Sequence, residues 1–496
     1  MGLILYQIVF YMKLFFRVAV VTIMIIVLLL AYNFMSFKSI QPEALDQNPP
    51  TIDSLAALHL SKAIQFKTIS HKVEMLDKKA LNGLVKFLET TYPNFHKVAE
   101  KSVFSTHTLL YKWEGSDTSL KPVMYMGHMD VVPIERATEE QWLHPPFSGN
   151  IQNGFIYGRG ALDDKCTVIG LLEASEMLAK EEFKPKRTIY ILFGQDEEIG
   201  GGQGAELVAE KFKEEGLELE MIWDEGTVIG KNLVPGMPDE VALIGISEKG
   251  YISYNLTCQI PGGHSSMPPI NSAISNLNRA LVAIADNPFP YKISKPVEGF
   301  IQYIGPVSPF MNKLAFSNKW LFEPLIFKSY AATGSGRALI QTSMSATIVK
   351  AGVKDNVVPS KAQAIVNCRI LPGENMETTL AYLNNIINDT TIKITPQETQ
   401  QNPSQSSSYK NVYFQTLGSV VKTVYPKSYV SPFLMLGATD SRHFDGLCNK
   451  IYKFAPFVYT YDDLALLHGI NEKISIENFN KGIQVYYMSM KNINEL

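Results

Sequence analysis

Five short segments of this 496-residue chain carry acids or histidines in positions that could do chemistry, each directly after an apolar run that reads as a strand. They are GHMDVVP with His128 and Asp130, GRGALDDK with Asp163, GQDEEIGG with Glu197 and Glu198, WDEG with Asp224, and LLHGINEK with His468. Each alone has an ordinary explanation. A lone histidine such as His128 is more often packed or solvated than bound to a metal, Asp163 could cap the helix that comes after it, and the acids at 196–198 could form a solvated turn. Together, two histidines and three or more carboxylates at the same edge of one sheet are the nitrogen and oxygen donor set of a zinc pair. The acids of GQDEEIGG sharpen the point. Carboxylates at the end of a buried strand need a partner, and two dications would supply it.

The elements that must position these residues can be read from the pattern between them. Helical apolar spacing occurs in TIDSLAALHLSKAIQF, ALNGLVKFLETTY, TVIGLLEASEMLAKE and AELVAEKFKEE. Short apolar runs alternate with these helices: THTLLYKW, VMYMG, TIYILFG, LEMIWD and VALIGI. That alternation predicts an α/β layer with a central, mostly parallel sheet. From about residue 247 the order changes to strand, helix, two strands, helix, strand, which predicts an inserted ferredoxin-like α+β unit. A Phe-, Pro- and Tyr-rich stretch at about 290–340 interrupts it and reads as irregular or helical elaboration, and the polar run PQETQQNPSQSSS marks the return to the first domain. The C-terminal part reads as a helix, the strand SYVSPFLML and a last helix.

Composition narrows the function classes. With 46% hydrophobic and 19% charged residues the chain is ordinary globular material, and a net charge of −3 with no basic stripe excludes a nucleic-acid partner. Four well-separated cysteines, Cys166, Cys258, Cys368 and Cys448, make neither a disulfide framework nor a thiolate zinc site. The sequons at Asn255 and Asn388 are common by chance. Residues 18–37 carry no charge and are close to the ~20 needed to cross a bilayer. Lys13 and Arg17 precede this run, so the positive-inside rule leaves 1–17 as a short cytoplasmic N-terminus, 18–37 as a transmembrane signal-anchor and the catalytic part on the lumenal, vacuolar or extracellular side. Cleavage and secretion is the alternative, but the run exceeds a signal-peptide core and no small-residue cleavage site comes after it. The organisation expected is then a linker at 38–50, a catalytic domain in two parts at 51–246 and 401–496, and a lid domain at 247–400 with its insertion at about 290–340.

GHMDVVP, GRGALDDK, DEEIGG, DEG, GGHSS, NVVP, CRILPG and HGINE occur in the order and approximate spacing of the di-zinc aminoacylase and carboxypeptidase family, which the chain resembles over about residues 50–490. Within it, the doubled aspartate of GRGALDDK, the lid insertion and the N-terminal apolar segment look most like the Gly-X carboxypeptidase branch and its animal relative, the N-fatty-acyl-amino-acid synthase/hydrolase. The resemblance implies two Zn(2+) per chain. It makes His128 a ligand of one zinc, with Asp130 on the same strand face orienting its ring, and Asp163 a bridge between both metals. Asp224 and His468 would each complete one metal, Glu198 would take the other position, and Glu197 would be the general base. On the lid, His264 of GGHSSMP would stabilise the oxyanion and sometimes reach a neighbouring subunit's site, which implies a homodimer through the lid. Asn356 and Arg369 would bind substrate, with Arg369 forking onto a free carboxylate, and Gly437 and Arg442 would line the same pocket. Cys166 and Lys473 depart from the family pattern, but neither is an expected ligand.

The activity implied is hydrolysis of the amide bond in N-acyl amino acids or dipeptides with a free C-terminal carboxylate, using metal-activated water and Glu197. An N-fatty-acyl-amino-acid hydrolase/synthase is the alternative, with the apolar 290–340 stretch compatible with an acyl pocket. A membrane-anchored binding protein on a dead hydrolase fold would have lost ligands, and none of the expected positions is lost.

Overall fold

A computed structural model describes residues 2–72 and 75–496. The first element is one continuous helix, Gly2–Ser36, whose side chains from Ile4 onward are almost all exposed. The expected short N-terminus is thus helical too, because LILYQIVFYMKLFF is itself strongly apolar and contains no helix breaker. The stretch Ile4–Ser36 is long and apolar enough to cross a membrane.

The central sheet has eight strands in the order Glu100–Phe104, Thr108–Trp113, Ile189–Gly194, Val123–His128, Met221–Lys231, Ile451–Tyr459, Glu240–Glu248 and Tyr429–Met435. It is mixed: Val123–His128 runs parallel to both its neighbours, while the Glu100–Phe104 and Thr108–Trp113 edge is antiparallel. Its inner strands are apolar because both faces are covered. One face packs on the helices Lys165–Lys180, Val412–Val424 and Ile476–Asn494, and the other on Ala205–Glu214 and the turn Asp440–Phe444. Gly170 lets the first and last of the three helices on that first face approach closely, since a Cβ there would lie 3.1 Å from the Tyr486 ring.

One central strand was not expected. Ile451–Tyr459 contains Lys453 and Pro456, and a proline in mid-sheet normally argues against a strand. Here the ladder to Met221–Lys231 breaks between Phe454 and Val458, so the proline sits where no bond is demanded of it.

The second sheet is antiparallel, ordered Ser343–Ala351, Lys361–Ile370, Gly250–Gln259, Ile392–Gln401. Helices Ala273–Asp286 and Met376–Ile387 share one core with it, which completes the strand–helix–strand–strand–helix–strand order of a ferredoxin-like unit. The 290–340 stretch forms the helices Lys295–Ile304, Phe310–Ser317, Lys319–Tyr330 and Gly334–Ile340.

Candidate active site

Parallel pairing brings the key strand ends to one edge. His128 is in register with Gly194, and Tyr125 with Trp223, so the segments just beyond these strands meet where ligands gather in open α/β sheets. His128 is buried at the end of its strand, with Nε2 3.0 Å from Asp163 Oδ1 and Nδ1 3.3 Å from Asp130 Oδ1. Asp130 also accepts the backbone N–H groups of Glu197 and Glu198 at 3.1 and 3.2 Å, so one carboxylate both orients the histidine and shapes the turn of the two glutamates. His468, at φ 59°, places Nε2 3.1 Å from Asp163 Oδ2 and 3.5 Å from Glu198 Oε2.

One ligand atom each from His128, Asp163 and Glu198 lies within 4.8 Å of the others, and His468 closes the group from the opposite side of Asp163. Desolvation alone would raise the Asp163 carboxyl, but its hydrogen bonds to His128 and His468 outweigh it and hold the group below the usual carboxylate range. Elsewhere in the cleft acids outnumber cations. Desolvation pushes Glu197 and Asp440 well up and Asp224 up, with neighbouring acids adding to the first two.

Close approach of one side chain explains two of the three glycines of GQDEEIGG. The buried Asp440 carboxylate projects into them, and a Cβ at Gly194 would lie 2.5 Å from Asp440 Oδ2. Gly201, at φ 68°, faces the other oxygen of the same carboxylate. Neither oxygen of Asp440 has a hydrogen-bond partner among the described residues. The third acid of the motif, Asp196, turns away from the cluster and accepts from Gln203 N at 2.8 Å, and burial lifts it to about 6. Asp224 is buried and accepts from Ser441 N at 2.8 Å and from Glu225 N at 2.9 Å. Arg442 donates from Nη2 to the Gly200 carbonyl at 2.8 Å, tying its loop to the glutamate turn, and a Cβ at Gly437 would lie 3.0 Å from Met435 Cε.

The lid residues form a separate group. His264 and Asn356 are exposed and adjacent: Gly263–His264 pairs with Val357–Val358, and Ser265 N donates to the Asn356 carbonyl at 3.2 Å. His264 Nδ1 accepts from Ser266 N at 3.1 Å and lies 2.7 Å from Ser266 Oγ. Arg369 lies one residue from the end of the strand Lys361–Ile370, over the Tyr251 ring at 4.6 Å.

Besides Asp440, sequence reasoning assigned no role to Arg159 and Glu472, although both lie inside quoted motifs. Glu472 is fully buried and pairs with Arg159 at 2.6 Å. It also accepts from the N–H groups of Gly160, Leu162 and Asp163 at 3.0, 2.7 and 3.2 Å, while Arg159 donates to the His468 carbonyl at 3.0 Å. One ion pair therefore holds the two loops that carry Asp163 and His468.

The donor set and the excess of acids over cations fit divalent metal. Fold and site together define a metallopeptidase of the two-sheet type. Residues 124–492 match the model of Peptidase family M20/M25/M40, and the chain belongs to that family. It is therefore an enzyme of a metal-dependent hydrolase class. It is 37% identical to the probable carboxypeptidase S-like 2 of Dictyostelium discoideum, over 94% of this chain and 92% of the relative. With the N-fatty-acyl-amino acid synthase/hydrolase of Homo sapiens it shares 35% identity, over 87% of this chain and 86% of the relative. Among solved structures, an M20 family metallo-carboxypeptidase from Sulfolobus solfataricus superposes with a TM-score of 0.66 at 19% identity, over 90% of this chain and 100% of that one. This last likeness concerns the fold.

Proposed function

We propose that the chain hydrolyses the amide bond of N-acyl amino acids or dipeptides that end in a free carboxylate, with two zinc ions per chain. The observation that carries the reading is the close group of His128, Asp163 and Glu198, with His468 beside Asp163 and Glu198. When bound, zinc would supply positive charge that acidifies a water and polarises an amide carbonyl. Asp163, whose two oxygens face two histidines, would hold a shared position, and Asp224 would complete the second site.

The protein's own groups do the rest. Asp130 fixes the His128 ring through Nδ1 and leaves Nε2 for the site. Glu197 takes a proton from water and returns it to the leaving amine, a role that suits a carboxyl whose pKa is raised by its surroundings. Arg369 and Asn356 hold the substrate carboxylate, and His264 meets the oxyanion.

A second reading, hydrolysis and synthesis of N-fatty-acyl amino acids, is favoured by the 35% identity to an enzyme of that name. The apolar N-terminal helix anchors the chain, with catalysis on the extracytoplasmic side. A homodimer through the lid is supported by its edge strand Ser343–Ala351, exposed from Ser345 onward and open to pairing. The purified full chain, with and without chelator, is to be assayed against benzyloxycarbonyl dipeptides, acetyl amino acids and long-chain acyl amino acids. Chelator-sensitive cleavage of at least one class, lost when the substrate carboxylate is amidated, supports the reading, and activity indifferent to both sinks it.

A further inference from the structure

The last turns of the N-terminal helix lie on the helical insertion. Asn33 Nδ2 donates to Asn318 Oδ1 at 3.0 Å, and Asn318 Nδ2 donates to the Leu30 carbonyl at 3.3 Å. The Phe34 ring lies 5.1 Å from that of Phe310 and 4.8 Å from the Lys313 ammonium. Phe37 packs among Val297, Ile301 and Ile340. The segment after it is fastened too: Gln41 donates to the carbonyls of Tyr303 and Val430 and accepts from Val430 N at 2.7 Å. The stretch that reads as a linker therefore holds the body against the helix end.

These contacts set a depth. The uncharged run 18–37 measures about 30 Å as a helix, the thickness of a bilayer's hydrocarbon. Leu30 to Ser36 form the helix's last two turns, about 10 Å of it. If the run crosses a membrane, Phe310 and Asn318 sit at the hydrocarbon boundary with it.

The two helices that meet at Asn318, Phe310–Ser317 and Lys319–Tyr330, are unsuited to water. Phe310–Ser317 buries no residue completely, and Lys319–Tyr330 buries only Ile326. Their surface exposes Phe310, Met311, Trp320, Leu321 and Leu325, each between 43% and 68% accessible. Lysines 313, 319 and 328 are interleaved with them. Exposed apolar patches mark interaction sites, and tryptophan among lysines whose stems can snorkel is the composition of a lipid interface.

We infer that Phe310–Ser317 and Lys319–Tyr330 form a seat in the lipid interface beside the anchor, with the acyl chains of the bilayer covering their apolar surface. The inference rests on the anchor reading under Proposed function. It accounts for the apolar residues of the insertion that no core absorbs, and it brings the catalytic body to the surface where acylated substrates partition.

Tryptophan quenching tests it. The chain has four tryptophans; none lies in the N-terminal helix, and Trp113 and Trp223 are buried in the body. The full chain is reconstituted in phosphatidylcholine nanodiscs whose acyl chains carry bromine. Emission of the wild type should fall by about a quarter as Trp320 meets the quencher, and Trp320→Phe should abolish that fall. Unquenched emission, or equal quenching in Trp320→Phe, overturns the seat. An alkaline carbonate wash of membranes holding the full chain separates the two ideas: release shows that the anchor reading itself is wrong, whereas retention with unquenched emission overturns the seat alone.

Discussion

At the edge of the central sheet, His128, Asp163, Glu198 and His468 are bonded to one another and to a buried supporting layer, whereas His264, Asn356 and Arg369 bond within the inserted sheet and its loops. The first group is held in place before any substrate arrives. Asp130 under His128 and the Arg159–Glu472 pair under the loops of Asp163 and His468 fix its geometry. The second group is more open and has little to order it. On the proposed roles, the difference separates holding a metal, which demands fixed geometry, from recognising a substrate, which the substrate itself can complete.

The largest effect that would sharpen this comparison lies within GQDEEIGG. Glu197→Gln should keep the metal of the wild type, because Glu197 bonds to no member of the cluster, yet lower kcat by roughly 10²–10⁴-fold through loss of the proton shuttle. Glu198→Gln should instead lose one metal, leaving roughly one ion per chain after dialysis. Elemental analysis with kcat for both decides it. A Glu197→Gln enzyme that is metal-depleted but restored by added zinc would reverse the two roles.

Next comes the supporting layer. Glu472→Gln leaves Arg159 charged and buried, so a loss of about 3–5 kcal/mol in stability is expected, together with metal affinity lower by on the order of 10–100-fold. Chemical denaturation and metal titration read the two separately. Unchanged metal affinity would mean that the ligand loops do not need this pair.

On the inserted sheet, Arg369→Lys should lower kcat/KM by on the order of 10²-fold, because a point charge cannot reproduce a bidentate fork. Metal content should stay that of the wild type, since Arg369 touches none of the cluster. Amidating the substrate carboxylate should cost the wild type a similar factor and the variant much less. Equal losses in both would place the carboxylate elsewhere.

The two regions were also unequally legible in the sequence. The cluster could be read because His128, Asp130, Glu197 and Glu198 come at or directly after the ends of strands of the central sheet; Asp163 instead comes after the short strand Phe155–Tyr157 of a separate three-stranded sheet and His468 after the helix Tyr461–Leu464, and their loops bring them to the same edge. Asp440 could not be read: its role depends on two glycines more than two hundred residues away, and nothing in LGATDSRHF itself states that. Arg159 and Glu472 were visible only as letters within motifs, since a buried ion pair between distant segments leaves no local pattern. Strand Ile451–Tyr459 was hidden by Pro456, which a break in the ladder accommodates. The inserted sheet's topology was legible from the order of its elements, but His264, Asn356 and Arg369 gained roles only through family resemblance. In the structure they keep the local contacts of ordinary turn and strand residues.

The smallest effect concerns the joint between the two regions. Lys249 lies between Glu240–Glu248 of the central sheet and Gly250–Gln259 of the inserted one, buried, with its ammonium donating to the carbonyls of Ala338 and Gln341 at 2.8 Å each. Burial first, and then the charge of Arg369, hold it down to about 8. A lysine depressed in this way binds its proton less well folded than unfolded. Below about pH 8 both states are protonated and the cost of burying the charge is felt in full. Between about 8 and the unfolded value near 10.4 the unfolded chain binds more protons, so this group adds stability as pH rises, by about 2–3 kcal/mol across the window. Other groups titrate there too, tyrosines among them, so the readout is the difference between wild type and Lys249→Met in unfolding free energy from pH 8 to 10. The wild type should gain on the variant by that amount as pH rises. If the difference stays flat, the ammonium at this joint is not desolvated, and the crossing between the two regions is open to water.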